Sequence, residues 1–262
     1  MRQISAVISC ALLVVVAGCS GGPPARSTPA PSATPDLTAI RKDLTDDQLA
    51  GITLDLAGYA PRYHAFRPSP ASGVQTLATR AELACDASRQ SNSLNKHGWI
   101  KAYAKFFASP DPIQPETVAV GSNVDVFSSK EGAADKLNSD AASVADDARS
   151  DHGCFGYAIE GVEPLVVAGI GDQSWGVRER INIHSLRGSI SFVMFRRSNI
   201  VAMVEIVRLS SEDSTDELTE LARTIDERIA ALLSAPLSVA PRGPAPAALA
   251  GSGRPVDARA HR

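Results

Sequence analysis

Five histidines, scattered carboxylates and a few strand aromatics are the side chains through which this chain would do chemistry. None of His64, His97, His152, His184 and His261 stands in an H-E-x-x-H pair or at zinc-site spacing from a cysteine or carboxylate, so no metal or other cofactor is expected. His152, in Arg149-Ser150-Asp151-His152-Gly153-Cys154, reads as part of a polar loop. The nucleophile elbow G-x-S-x-G, the Walker A loop, the dinucleotide fingerprint and the EF-hand loop are missing from the sequence, and no catalytic residue is assigned. Gly169-Ile170-Gly171-Asp172 lacks a phosphate-binding continuation and reads as a turn. Glu205 is the acid inside a strongly apolar strand: lining a cleft it would have a raised pKa, and on a face open to water it would need no such role. Trp175, Phe192 and Phe195 join it as candidate contacts for an apolar ligand, most other aromatics being expected in the core and its rim.

The cysteines divide by position. Met1-Arg2-Gln3 is a short positive stretch and Ile4 to Val16 an apolar run of signal-peptide length, shorter than the roughly 20 residues a bilayer-spanning helix needs. The following Val16-Ala17-Gly18-Cys19 resembles a bacterial lipobox. That resemblance implies a signal peptide over residues 1–18 and a mature N-terminus at Cys19, with diacylglycerol on its sulfur and palmitate-type acyl chains as the anchor. At about 0.8 kcal/mol per buried methylene, two or three chains hold stably where one does not. Residues 19–39 are Pro, Ala, Ser, Thr and Gly with few large side chains, which predicts a disordered tether reaching about 25 Å. Cys10 leaves with the signal, so Cys85 and Cys154 remain in an oxidising compartment, either as a disulfide or as two buried thiols, with the disulfide preferred.

The net charge of -3 with mixed signs gives no reason to expect nucleic acid as a partner. Residues 236–262 are rich in Pro, Ala and Gly and predict a disordered tail, leaving 40–235 as one domain with enough chain, about 195 residues, for a real core.

Within it, Leu44 to Leu49 reads as a short helix and Ile52, Leu54 and Leu56 alternate as a strand would. Residues 76–89 read as one helix. Trp99 to Ala108 is open between strand and helix, whereas Thr117 to Phe127 is a strand with Val120, Val124 and Val126 on one face. Ser128 and Glu131 fit a capping box ahead of a helix over 130–149, whose stripe of Ala134, Leu137, Ala141, Val144 and Ala148 is small enough for close approach to a sheet. A meander follows: 165–168, 174–183, 189–195 and 200–209, the last two joined as a hairpin through Arg196 to Asn199. Ser214 and Glu217 fit a second capping box before a helix striped by Leu218, Leu221, Ile225, Ile229 and Leu232 and stopped by Pro236. These elements predict an α+β fold, a mostly antiparallel sheet with two helices covering one face.

Leu54-Asp55-Leu56-Ala57-Gly58-Tyr59-Ala60-Pro61, Gly98-Trp99-Ile100-Lys101-Ala102-Tyr103, Val124-Asp125-Val126-Phe127, Gly171-Asp172-Gln173-Ser174 and the run from Val193 to Ala202 resemble blocks of uncharacterised actinobacterial surface lipoproteins. Their order is similar, more loosely, to extracytoplasmic sensor domains of bacterial serine/threonine kinases and to PsbP-like lipoproteins. The resemblance implies a non-enzymatic lipoprotein at the outer face of the cell membrane, and no catalytic set transfers from it. An apolar or amphiphilic ligand, or an envelope protein, is the expected partner; a hydrolase of envelope lipid or glycan and a structural or assembly subunit are the alternatives.

Overall fold

Strand after strand in the second half of the chain alternates apolar residues on both faces, and the reason is a sheet covered on both sides. The computed structural model describes residues 40–56, 59, 63–82, 86–110, 117–149, 157–183, 186–210 and 212–235. In chain order they form α1 (Asp46–Ile52), β1 (Arg67–Pro68), β2 (Gly73–Gln75), α2 (Leu77–Glu82), α3 (Ala87–Lys96), β3 (Trp99–Ala108), β4 (Thr117–Phe127) and α4 (Lys130–Arg149). Then come β5 (Ala158–Leu165), β6 (Gln173–Ile183), β7 (Leu186–Arg197), β8 (Ile200–Arg208) and α5 (Thr215–Ser234). The sheet runs β1-β3-β4-β8-β7-β6-β5, with β2 also on β3. Its neighbours pair antiparallel, so the expected single α+β domain on an antiparallel sheet is what forms.

Residues directly opposite one another in an antiparallel pair share a face. One face therefore gathers Val120, Val124, Val193, Phe195, Ala202, Val204 and Ile206. It packs against Leu218, Leu221, Ala222, Ile225 and Ile229 of α5 and against Leu49 and Ile52 of α1 as the main core. The other face sets Phe127, Met194 and Val201 against Ala133 and Leu137 of α4. The two long helices thus lie on opposite faces, unlike the one-sided cover expected from the sequence, because β7 and β8 send apolar groups to both sides, Val193, Phe195 and Val204 to one and Met194 and Val201 to the other.

Local chemistry accounts for the other departures. Leu54 and Leu56 are buried but unpaired with a strand; the Leu54 amide donates to Ser122 Oγ at 2.9 Å and Leu56 enters a helical turn, so their alternation marks a connecting segment packed into the main core. Residues 76–89 divide into two helices because Asp86 caps a new one, accepting from the Arg89 amide at 2.9 Å. The α4 cap is Ser129, which accepts from the Gly132 amide at 3.0 Å, one residue beyond the expected Ser128. Ser214 stands at the α5 N-cap without a side-chain bond, and the other half of the expected box is missing too because the Glu217 carboxylate is turned to Arg208 and Tyr63. The ambiguous segment at 99–108 is a strand, with Lys101 reaching Asp46 and Lys105 reaching the Ala50 carbonyl on the α1 side.

The β7–β8 hairpin turns through Ser198 and Asn199, with Ser198 at φ 54. Asn199, fully buried, donates to the carbonyls of Arg41 and Phe127 at 2.8 and 2.6 Å and accepts from the Arg41 amide at 3.0 Å. The Arg41 side chain in turn donates to the Leu233 carbonyl at 3.2 Å, satisfying an end of α5 that the helix leaves open.

One expectation is corrected. Among the described residues no disulfide bond is found, so the staple between Cys85 and Cys154 drops out of the account. Both cysteines lie outside the described residues, and a domain of about 195 residues buries enough core to hold without one. The signal, Cys19, the tether and the tail from Pro236 likewise lie outside them.

Candidate functional site

The α4 stripe begins tightly packed and ends over open space. Ala133 and Leu137 are fully buried, but the smaller Ala141 and Val144 do not fill the gap between the helix and the far strands. The result is a groove of about 610 Å³, walled by Ala141 and Val144 on α4, Ile159, Val162 and Pro164 on β5, and Trp175 and Val177 on β6, with Glu160 on its rim. Small-molecule sites are commonly apolar clefts of about 300–1,000 Å³ with few polar groups, and this groove fits that description.

Trp175 is fixed from two sides. Its indole Nε1 donates to the Leu137 carbonyl at 3.2 Å, and its ring meets Phe192 edge-to-face with centroids 5.6 Å apart. Phe192 leads on to Glu205, its direct cross-strand partner on β8. The row Pro164, Val177, Phe192, Glu205, Gly121, Phe106 thus crosses from β5 to β3 on the α4 side of the sheet.

Glu205 is partly accessible, and burial pushes its carboxyl up to about 6, with the Arg80 charge working in the opposite direction. Among the described residues no hydrogen bond or ion pair reaches it. Gly121, opposite it on β4, is required by close approach: a Cβ there would stand 2.5 Å from the Phe106 ring and 2.9 Å from Glu205 Oε1. Tyr157, just ahead of β5, has its phenol pushed well above the usual value by burial and then by the charges of Glu179 and Glu205.

A buried polar network borders this row. Asp125, 4% exposed, accepts from Arg80 Nε and Nη2 at 3.3 Å each, from Trp99 Nε1 at 2.7 Å and from Asn123 Nδ2. Asn123, 2% exposed and one pleat along from Gly121, keeps its Oδ1 without a donor.

Of the residues singled out from the sequence, Trp175, Phe192 and Glu205 are brought to one face. Phe195 is not: an odd offset along a strand puts it on the opposite face from Phe192, and it is fully buried beneath α5. Of the groups a hydrolase would bring together, Glu205 is described and His152 and His184 lie outside the described residues. His97 has its pKa lowered by burial and then by Lys96 and Lys136. Among the described residues no cluster of His, Cys, Asp and Glu is arranged to hold a metal, and no helix is long and apolar enough to cross a membrane. Asn123, Arg80 and the Asp125 network were not picked out beforehand; Gly121 inside a valine-rich strand was the signal that something approaches there.

Fold and site together define a sheet clad by helices on both faces, with an apolar groove under one helix and, on the same face of the sheet, a carboxyl that no described residue pairs with. No protein-family description matches the chain, and no curated protein does. Among solved structures the chain is similar to the extracellular domain of PknH from Mycobacterium tuberculosis, at 12% identity and a TM-score of 0.44, over 71% of this chain and 96% of that one. The expected likeness to extracytoplasmic kinase domains is met at that coarse level, as a weak structural resemblance from which no function is argued.

Proposed function

We propose that this chain is a cell-envelope lipoprotein, anchored through acylated Cys19 at the outer face of the membrane, whose domain over 40–235 binds an apolar or amphiphilic ligand in the groove beneath α4. Signal removal after residue 18, the tether over 19–39 and the free tail from 236 belong to the same proposal. The observation that carries it is the apolar groove itself, floored by Trp175 and Val177 and roofed by side chains too small to close it. Each methylene taken up there contributes about 0.8 kcal/mol, so a chain of several carbons binds without any polar contact.

Native mass spectrometry of the protein extracted from membranes tests this. The expected result is a diacylglyceryl-modified Cys19 and a separate, non-covalent apolar mass that Val144→Trp, which fills the groove, removes. An unmodified N-terminus counts against the anchor. A bare protein that takes up no added amphiphile, or a non-covalent mass retained equally by Val144→Trp, counts against the groove.

A further inference from the structure

Building on the groove as a ligand site, we infer that the site extends to Glu205 and Asn123 and that its ligand is a cationic amphiphile: an apolar tail beneath α4 and a primary ammonium on the two oxygen acceptors.

The argument is one of matching donors. Glu205 presents a carboxyl that no described residue pairs with, at the centre of a row whose nearer members, Phe192 and Phe106, are apolar. Arg80, whose charge is felt at Glu205, has its guanidinium engaged by Asp125 through Nε and Nη2 and makes no ion pair with Glu205. Asn123 cannot supply a donor either, because its Nδ2 is committed to Asp125. What Asn123 leaves unpaired is a second acceptor, Oδ1, on a side chain 2% exposed.

Glu205 and Asn123 are diagonal neighbours across β4 and β8, since Gly121 is opposite Glu205 and Asn123 opposite Met203. Diagonal neighbours are about 7–8 Å apart at their Cα atoms, within the span of one small group held by two side chains. Glu205 leans over Gly121, its Oε1 2.9 Å from where a Cβ would stand, with the Phe106 ring beside it at 2.5 Å. Two acceptors with no donor ask for a ligand that brings donors only, and a primary ammonium carries three. From Val177 in the groove floor to Glu205 is two strand spacings, about 10 Å, so one chain of moderate length reaches both. A carboxylate or phosphate head would meet Glu205 with like charge, while a hydroxyl head would satisfy one acceptor and forgo the charge.

The test uses the full acylated chain in nanodiscs and isothermal titration with n-octylamine, n-octanol and sodium octanoate at pH 7.5, with empty nanodiscs as reference. Octylamine is expected to bind about tenfold or more tightly than octanol and octanoate, an advantage that Glu205→Gln removes. Asn123→Leu is expected to weaken octylamine selectively in the same way. Equal binding of octylamine and octanol, with Glu205→Gln altering neither, overturns the ammonium site and leaves the groove standing. Absence of saturable binding for all three probes overturns the groove and the ammonium site with it.

Discussion

Replacing Glu205 by Gln removes a charge that the fold holds at a cost, and the size of that cost follows from its surroundings. The carboxyl is raised from 4.5 to about 6 because burial penalises the ionised form more than Arg80 favours it. Between those values the folded state binds more protons at Glu205 than the unfolded one, so the penalty from this group is absent below pH 4.5 and grows as pH rises through 6. A shift of that size corresponds to about 2 kcal/mol once Glu205 is fully ionised. Partial access to water screens some of it, leaving about 1–2 kcal/mol. Glu205→Gln, which keeps the shape, is therefore expected to raise unfolding free energy by about that much at pH 7.5 and by far less at pH 4.5. For a domain of this size the gain appears as about 2–8 °C in Tm at pH 7.5. Urea unfolding of wild type and variant across pH 4.5–7.5, followed by circular dichroism, measures the difference directly. An equal effect at both ends of the range, or a loss of stability at pH 7.5, would refute the view of Glu205 as a half-buried acid that no described residue pairs with.

Other side chains make similarly definite demands. Asp226, 7% exposed, accepts from Arg197 Nε and Nη2 at 2.5 and 2.6 Å and from the Gly171 amide at 3.0 Å; Asp226→Ala is expected to destabilise by about 3 kcal/mol in thermal unfolding. Asn199→Ala strands the buried backbone groups of Arg41 and Phe127 and should cost about 2–3 kcal/mol in the same assay. Gly121→Ala drives a methyl into the Phe106 ring and the Glu205 carboxylate, with an expected loss of about 1–3 kcal/mol and weaker octylamine binding by titration. Trp175→Leu should leave the fold in place by circular dichroism but lower octanol affinity, because the edge-to-face partner of Phe192 and the groove floor go together.

Regular elements with a strong apolar period were legible from residue types alone. The stripe from Leu218 to Ile229 and the alternation around Val193 and Val204 placed α5, β7 and β8 to within a few residues, and the short connection Arg196 to Asn199 gave their hairpin, which the structure tightens to Ser198-Asn199. Edge elements were harder. β5 carries Glu160, Glu163 and Pro164, the residues that protect a sheet edge, and the sequence signal shifted instead to the apolar run just after it. The α2–α3 break hinged on a single cap at Asp86.

At the site, residue chemistry pointed to Trp175, Phe192 and Glu205, and also to Phe195, which strand parity puts on the opposite face. The groove itself was not legible, because it depends on how α4 crosses β5 and β6 once Ala141 and Val144 fail to fill the space. Nor was the Asp125 network, which exists only when β3, β4 and α2 are brought into register.

The most direct test of the ligand groove is a crystal structure of the protein grown with 8-bromooctylamine, read through the anomalous signal of bromine. The expected result is a bromine peak between Val144 and Trp175, with the amine end directed to Glu205. Bromine confined to the outer surface, or absent from the crystal while the groove stays closed by its own side chains, would contradict it.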